Sequence, residues 1–138
     1  MIVLDTNIVS EASRPTPSAR VLDWMRSEPR AALFTTTITE GELLYGIELL
    51  PEGRRRSLLE TLVAGILAED FAGRILPFDS AAAREYADIA ANRRRLGRPI
   101  SEPDARIAAI ARSRGARLAT RNVSDFADCG LPLIDPWA

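Results

Sequence analysis

The sequence predicts an α/β protein built on a mainly parallel sheet, and two features carry that reading. Short apolar stretches alternate with longer stretches of helical character along the whole chain. The first short stretch, Ile2-Val3-Leu4, is apolar without a break and stops at Asp5, as a strand buried on both faces does in a parallel sheet. Length sets a third bound: 138 residues, 46% hydrophobic and 27% charged, make one globular domain over 1–138 and are too few for two.

The elements follow in order. A strand over 2–5 leads into a helix over 7–12, and Asp5, Thr6 and Asn7 are all good N-caps for it. Pro15 and Pro17 separate that helix from the next, over 18–26, and Pro29 precedes a strand over 31–36. A helix over 40–50 comes next; Thr39 with Glu42, and Thr37 with Glu40, each have the spacing of a capping box. Past the 51–53 turn, one long helix is expected over 54–72, then a strand over 74–78 and a helix over 81–96. The 97–99 turn leads to Ser101-Glu-Pro-Asp104, another box-like start, with Pro103 early in a helix over 103–113. Strands over 117–120 and 132–135 close the chain, with a short helix over 124–127 between them. Asp79, Asp128 and Asp135 stand at element ends and read as caps or turns.

Composition excludes several chemistries. There is no His, and all 18 basic residues are Arg. Ser-His-Asp and Cys-His catalysis, His-ligated zinc, a P-loop lysine and a Schiff-base lysine are therefore absent. For an enzyme without an organic cofactor, carboxylates and a hard metal ion are the main catalytic tools left. Cys129 stands alone, so no internal disulfide forms; with no secretory signal or membrane span in view, a cytoplasmic location is expected. Net charge is −1, but Arg54–56, Arg93–95 with Arg98, and Arg112, Arg114, Arg117 and Arg121 are grouped. Arg suits phosphate, although each group taken alone reads first as a solvated helix face.

In open α/β sheets, sites form at the carboxyl ends of the strands, where helices begin. Asp5 stands at such an end. Glu42 opens the helix after the second strand, so it shares that sheet edge if the two strands run parallel. Asp104 lies in line with Ile107, Ala108 and Ala111, at i+3, i+4 and i+7. A carboxylate on a core stripe is costly, and a cation would resolve the cost. Asn122 and Asp125 follow the fourth strand, where their plain roles are a turn residue and a helix cap. Separated acids at strand ends suit Mg²⁺ or Mn²⁺, and two such ions roughly 3.5–4 Å apart could drive phosphodiester cleavage.

The pieces IVLDTNIVS, TTTITEGELLYGIELLP, GRPISEPDARIAAIA and LATRNVSDF, in this order and spacing, resemble PIN-domain ribonucleases, and among them the VapC-type toxins of bacterial toxin–antitoxin pairs. The resemblance covers essentially the whole chain. It implies an α/β/α sandwich with a central parallel sheet and Mg²⁺- or Mn²⁺-dependent endonuclease cleavage of RNA. It implies Asp5 and Asp104 as the main metal ligands, with Glu42 completing the acidic centre directly or through water. Asn122 stands where many relatives carry Asp, and Asp125 lies about one turn on, as a candidate substitute. Thr6, Asn7 and Thr120 become polar supports for the ligands. The resemblance further implies a homodimer and a small antitoxin protein that covers the acidic centre with an inserted side chain, typically Arg.

Two other readings compete. An Asp-based phosphoryl-transfer protein also places Asp at a strand end, but it normally works with a Lys, and DTN carries no second acid two residues after Asp5. A degenerate RNA- or partner-binding module of the same fold would not need Asp5, Glu42 and Asp104 all intact.

Overall fold

The computed structural model describes all of residues 1–138. Five strands form one all-parallel sheet in the order β3-β2-β1-β4-β5: β1 Ile2–Leu4, β2 Leu33–Thr36, β3 Ile75–Leu76, β4 Arg117–Ala119 and β5 Leu133–Ile134. The helices are α1 Thr6–Ala12, α2 Ala19–Ser27, α3 Thr37–Glu48, α4 Arg54–Gly65, α5 Ser80–Arg95 and α6 Glu102–Ser113. β1 is the middle strand, paired with β2 through Val3 and Phe34 and with β4 through Leu4 and Ala119. Its three residues are fully buried, which is why the sequence there allows no polar position.

Alternation along β1 sends side chains to two separate cores. Val3 packs with Ile89 of α5, Ile107 and Ile110 of α6, and Leu118. Ile2 and Leu4 pack on the other face with Ile8, Val9, Val21 and Phe71. The sheet is thus covered on both faces, as an α/β/α sandwich. Ala105, Ala108, Ala109 and Ala111 are fully or almost fully buried, and their small side chains let α6 approach the sheet and α5 closely.

Several boundaries differ from expectation. α3 starts at Thr37, not at residue 40, and neither capping box forms. Thr36, extended at the end of β2, is the cap: its Oγ1 accepts from the Thr39 N–H at 3.1 Å. The helix begins as soon as the strand ends, so Glu42 lies beyond the position that could reach back to the cap. The long helix over 54–72 is α4 followed by a π-helical turn, Ile66–Asp70, closed by the Phe71 N–H on Ile66 O at 3.0 Å. The 124–127 helix is a 3₁₀ turn, Val123–Phe126, which buries Phe126. Asp79 caps α5, accepting from the Ala82 N–H at 2.9 Å. Asp128 sits in a left-handed turn, and Asp135 accepts from the Trp137 N–H at 2.9 Å.

The Thr36 cap makes a direct prediction. Thr36→Val keeps the branched shape but leaves the buried Thr39 N–H without its acceptor. Stability should fall by about 1–2 kcal/mol, read as a lower urea midpoint at unchanged slope. An unchanged midpoint would show that the cap contributes nothing to α3.

Candidate active site

Asp5 follows the last residue of the central strand, and its main chain is still held there, its N–H donating to Ala119 O at 2.9 Å. The residue is 5% exposed. One carboxylate oxygen accepts from the Thr6 N–H at 2.7 Å and the other from the Thr120 hydroxyl at 2.7 Å. Thr120 is itself fixed, its Oγ1 accepting from the Asn122 N–H at 3.1 Å and the Asn7 amide at 3.4 Å. Thr6 also reaches α3: its hydroxyl donates to Glu42 Oε1 at 2.9 Å and lies 2.9 Å from Thr39 Oγ1. With the Thr6 proton committed to Glu42, the buried Thr39 hydroxyl is the donor of that second pair. One residue, Thr6, therefore binds both Asp5 and Glu42. The residues expected as supports, Thr6, Asn7 and Thr120, make these bonds, while Thr39, expected as a helix cap, is part of the same network.

Asp104 is half-buried at the start of α6, where Ser101 caps the helix by accepting the Asp104 N–H at 3.3 Å. Asp125 is exposed on the 3₁₀ turn after β4, its N–H donating to Asn122 O at 3.0 Å. Asp5 feels the charges of Asp104 and Glu42, and Asp104 feels those of Asp125 and Glu42. Burial first, and these repulsions in addition, push the Asp5 carboxyl up from 3.8 to about 6 against the Thr120 and Thr6 hydrogen bonds. Burial likewise raises Asp104, with the Asp125 and Glu42 charges adding and Ser101 and Arg93 opposing. Every ion pair in the protein involves other acids, so Asp5, Glu42, Asp104 and Asp125 form a patch of negative charge with no basic partner in a chain of 18 arginines.

Such a patch calls for a cation. All the donors are oxygen, which fits a hard divalent ion. As the side chains lie, no three acids converge tightly enough to hold one ion between them, so the site is an open spread of carboxylates and not a cage. That spread suits Mg²⁺, which takes one or two carboxylates directly and keeps several waters.

Sequence reasoning missed one neighbour of the site. Arg93, grouped with a solvated basic run, is 5% exposed. The signal was present: Arg93 continues the buried stripe of α5 from Ala82 through Ile89, at helical spacing.

Fold and site together define a class of acid-centred α/β proteins, in which a parallel sheet delivers carboxylates to one edge. The PIN domain model matches residues 2–129. A VapC ribonuclease of Sinorhizobium fredii is 40% identical over 137 residues, covering 99% of this chain and 98% of that protein. Toxin FitB of Neisseria gonorrhoeae is 36% identical over 137 residues, covering 99% of both. The crystal structure of FitAcB from Neisseria gonorrhoeae matches with a TM-score of 0.91 at 36% identity, covering 99% of both chains. The chain belongs to the PIN-domain family and, within it, to the VapC ribonuclease toxins of toxin–antitoxin systems.

Proposed function

We propose that residues 1–138 act as one nuclease domain that cleaves RNA internally with Mg²⁺ or Mn²⁺ held by Asp5 and Asp104. The observation that carries this is a group of four acids at the carboxyl edge of the sheet, none of them in an ion pair. A divalent ion bound there would lower the pKa of a water and neutralise charge building on the phosphate. The chain's own residues set the stage. Thr6 and Thr120 lock the Asp5 carboxylate in one orientation, as ligands require. Thr6 holds Glu42 by Oε1 alone, which leaves Oε2 open to solvent to hold a water or take its proton. Asp125, exposed and beside Asp104, stands in for the acid that Asn122 does not supply. As partners we infer a second copy of the chain and an antitoxin protein, in the cytoplasm. The exposed Leu44 and Tyr45 of α3, Leu49 just after it, and Leu58 and Leu62 of α4 offer apolar surface for a protein partner, and no helix is long and apolar enough to cross a membrane.

The test is RNA integrity after incubation with the full chain, with Mg²⁺ or Mn²⁺ and with EDTA. Metal-dependent fragments are expected. A degenerate binding module would retain RNA without cutting it, and a phosphoryl-transfer protein would gain an acid-stable mass increase from a phosphodonor. Asp125→Asn should slow cleavage by no more than about 10-fold, the low end for groups that support a metal site without ligating it. A rate equal to that of Asp5→Asn would make Asp125 a ligand in its own right.

A further inference from the structure

Arg93 is the one buried arginine of the chain, and it has no acidic partner within ion-pair distance. A guanidinium in that position needs another reason to be there. Its donors go to main-chain carbonyls on two loops, with one further contact from Nη1 to the Cys129 Sγ at 3.7 Å. Nε donates to Arg98 O at 2.7 Å, while the Arg98 N–H returns to Arg93 O at 3.0 Å, closing the turn that leads to Ser101 and Asp104. Nη1 donates to Asp125 O at 2.7 Å and to Ala127 O at 3.0 Å, more than 30 residues further along the chain. One planar fork therefore ties the approach to Asp104 to the main chain of Asp125 itself. Other side chains that join these loops, Arg98 and Asn92, do so at Asp128 and not at the main chain of Asp125.

We propose that Arg93 is a positioning residue of the acidic centre, which fixes the main chain that carries Asp125 against the turn that leads to Asp104. The inference rests on the metal-dependent reading above.

The experiment is Mn²⁺ binding to the full chain, followed by calorimetry, with thermal unfolding measured on each variant. Arg93→Gln removes the charge and the fork, and Mn²⁺ affinity should fall by about 10–100-fold, the range for groups that orient ligands. Arg93→Lys keeps the charge but not the fork, and an intermediate loss is expected. Arg112→Gln is the comparison. Arg112 is a similar multi-point clamp, bound to Glu85, Asp88 and Cys129 O, and it bonds none of Asp5, Glu42, Asp104 and Asp125. It should lower the melting temperature with Mn²⁺ affinity unchanged. On the wild type, the Arg93 Nε–H resonance should resist exchange and shift when Mg²⁺ is added, a readout that needs no variant to fold. Wild type that binds no Mn²⁺ sinks the metal reading as a whole. Wild type that binds it, with Arg93→Lys unchanged in affinity or the Arg93 resonance unmoved by Mg²⁺, overturns the role of Arg93 alone.

Discussion

Asp5→Asn is expected to end metal-dependent RNA cleavage while leaving a protein at least as stable as the wild type at pH 7. The loss should exceed the roughly 10–100-fold typical of residues that only orient ligands, because the charge that would grip the ion is gone. The stability effect has the opposite sign, and its origin can be worked through. Asp5 titrates near 6 in the fold instead of 3.8, first because it is buried and then because Asp104 and Glu42 repel it. The folded protein therefore holds a proton that the unfolded chain has already released, over the interval from about 4 to about 6. Stability falls as pH rises through that interval, and the whole penalty is present above it. A shift from 3.8 to about 6 corresponds to ~3 kcal/mol at most. Asparagine does not ionise, so it carries none of this penalty, although its NH₂ group fits less well than a carboxylate oxygen against the Thr120 hydroxyl. Melting should be followed in EDTA from pH 4 to pH 7.5. The wild-type curve should decline with pH relative to Asp5→Asn, and Mg²⁺ should restore the wild type alone. An Asp5→Asn protein that cuts RNA, or that is destabilised equally at both ends of the range, would remove Asp5 from the centre of the site.

The parts of this architecture that were legible in the sequence are those in which one physical demand admits one solution. Ile2, Val3 and Leu4 contain no polar atom because the central strand is buried on both faces, so the strand and its place were readable together. The placement of the candidate acids was readable for a related reason: a parallel sheet gathers its carboxyl ends at one edge, Asp5 follows such an end, Asp104 lies in the first turn of α6, and Glu42 lies in the second turn of the helix that follows β2. Where several residues could satisfy the same demand, the sequence was ambiguous. Thr36, Thr37 and Thr39 are all competent N-caps, and the choice of Thr36 was made by the last pairing of β2, Thr36 with Leu76, which is a tertiary fact. A π turn changes the helical period over only one turn, too briefly to show in the apolar pattern of 66–71. Arg93 was misplaced because three adjacent arginines look alike, and only their angle around α5 separates the buried one from the others. The hydrogen bonds that join Asp5 to Glu42 through Thr6 depend on side-chain reach across two helices, which spacing along the chain does not encode.

Asp104→Asn should also abolish cleavage, and it separates a ligand from a cap more sharply than any other substitution in this protein. In its structural role, Asp104 is a first-turn acid of α6, where a negative charge is favoured by the helix dipole by about 0.3–1 kcal/mol. If that were its purpose, removing the charge would lower the melting temperature, and activity would fall only with the folded fraction. The surroundings point the other way. The carboxyl is raised, so burial and the charges of Asp125 and Glu42 outweigh the help of Ser101 and Arg93. The ionised form is disfavoured in the fold, and its contribution to stability therefore falls as pH rises above the ordinary carboxylate range. Asparagine keeps the size, and Ser101 still accepts the backbone N–H that caps the helix. The melting temperature of metal-free protein at pH 7 should then be equal to or higher than that of the wild type, with cleavage and Mn²⁺ binding both lost. The two measurements must be made on the same preparation. A lower melting temperature with cleavage reduced only in proportion would return Asp104 to the role of a first-turn helix acid, and the acidic centre would have to be rebuilt around Asp5, Glu42 and Asp125.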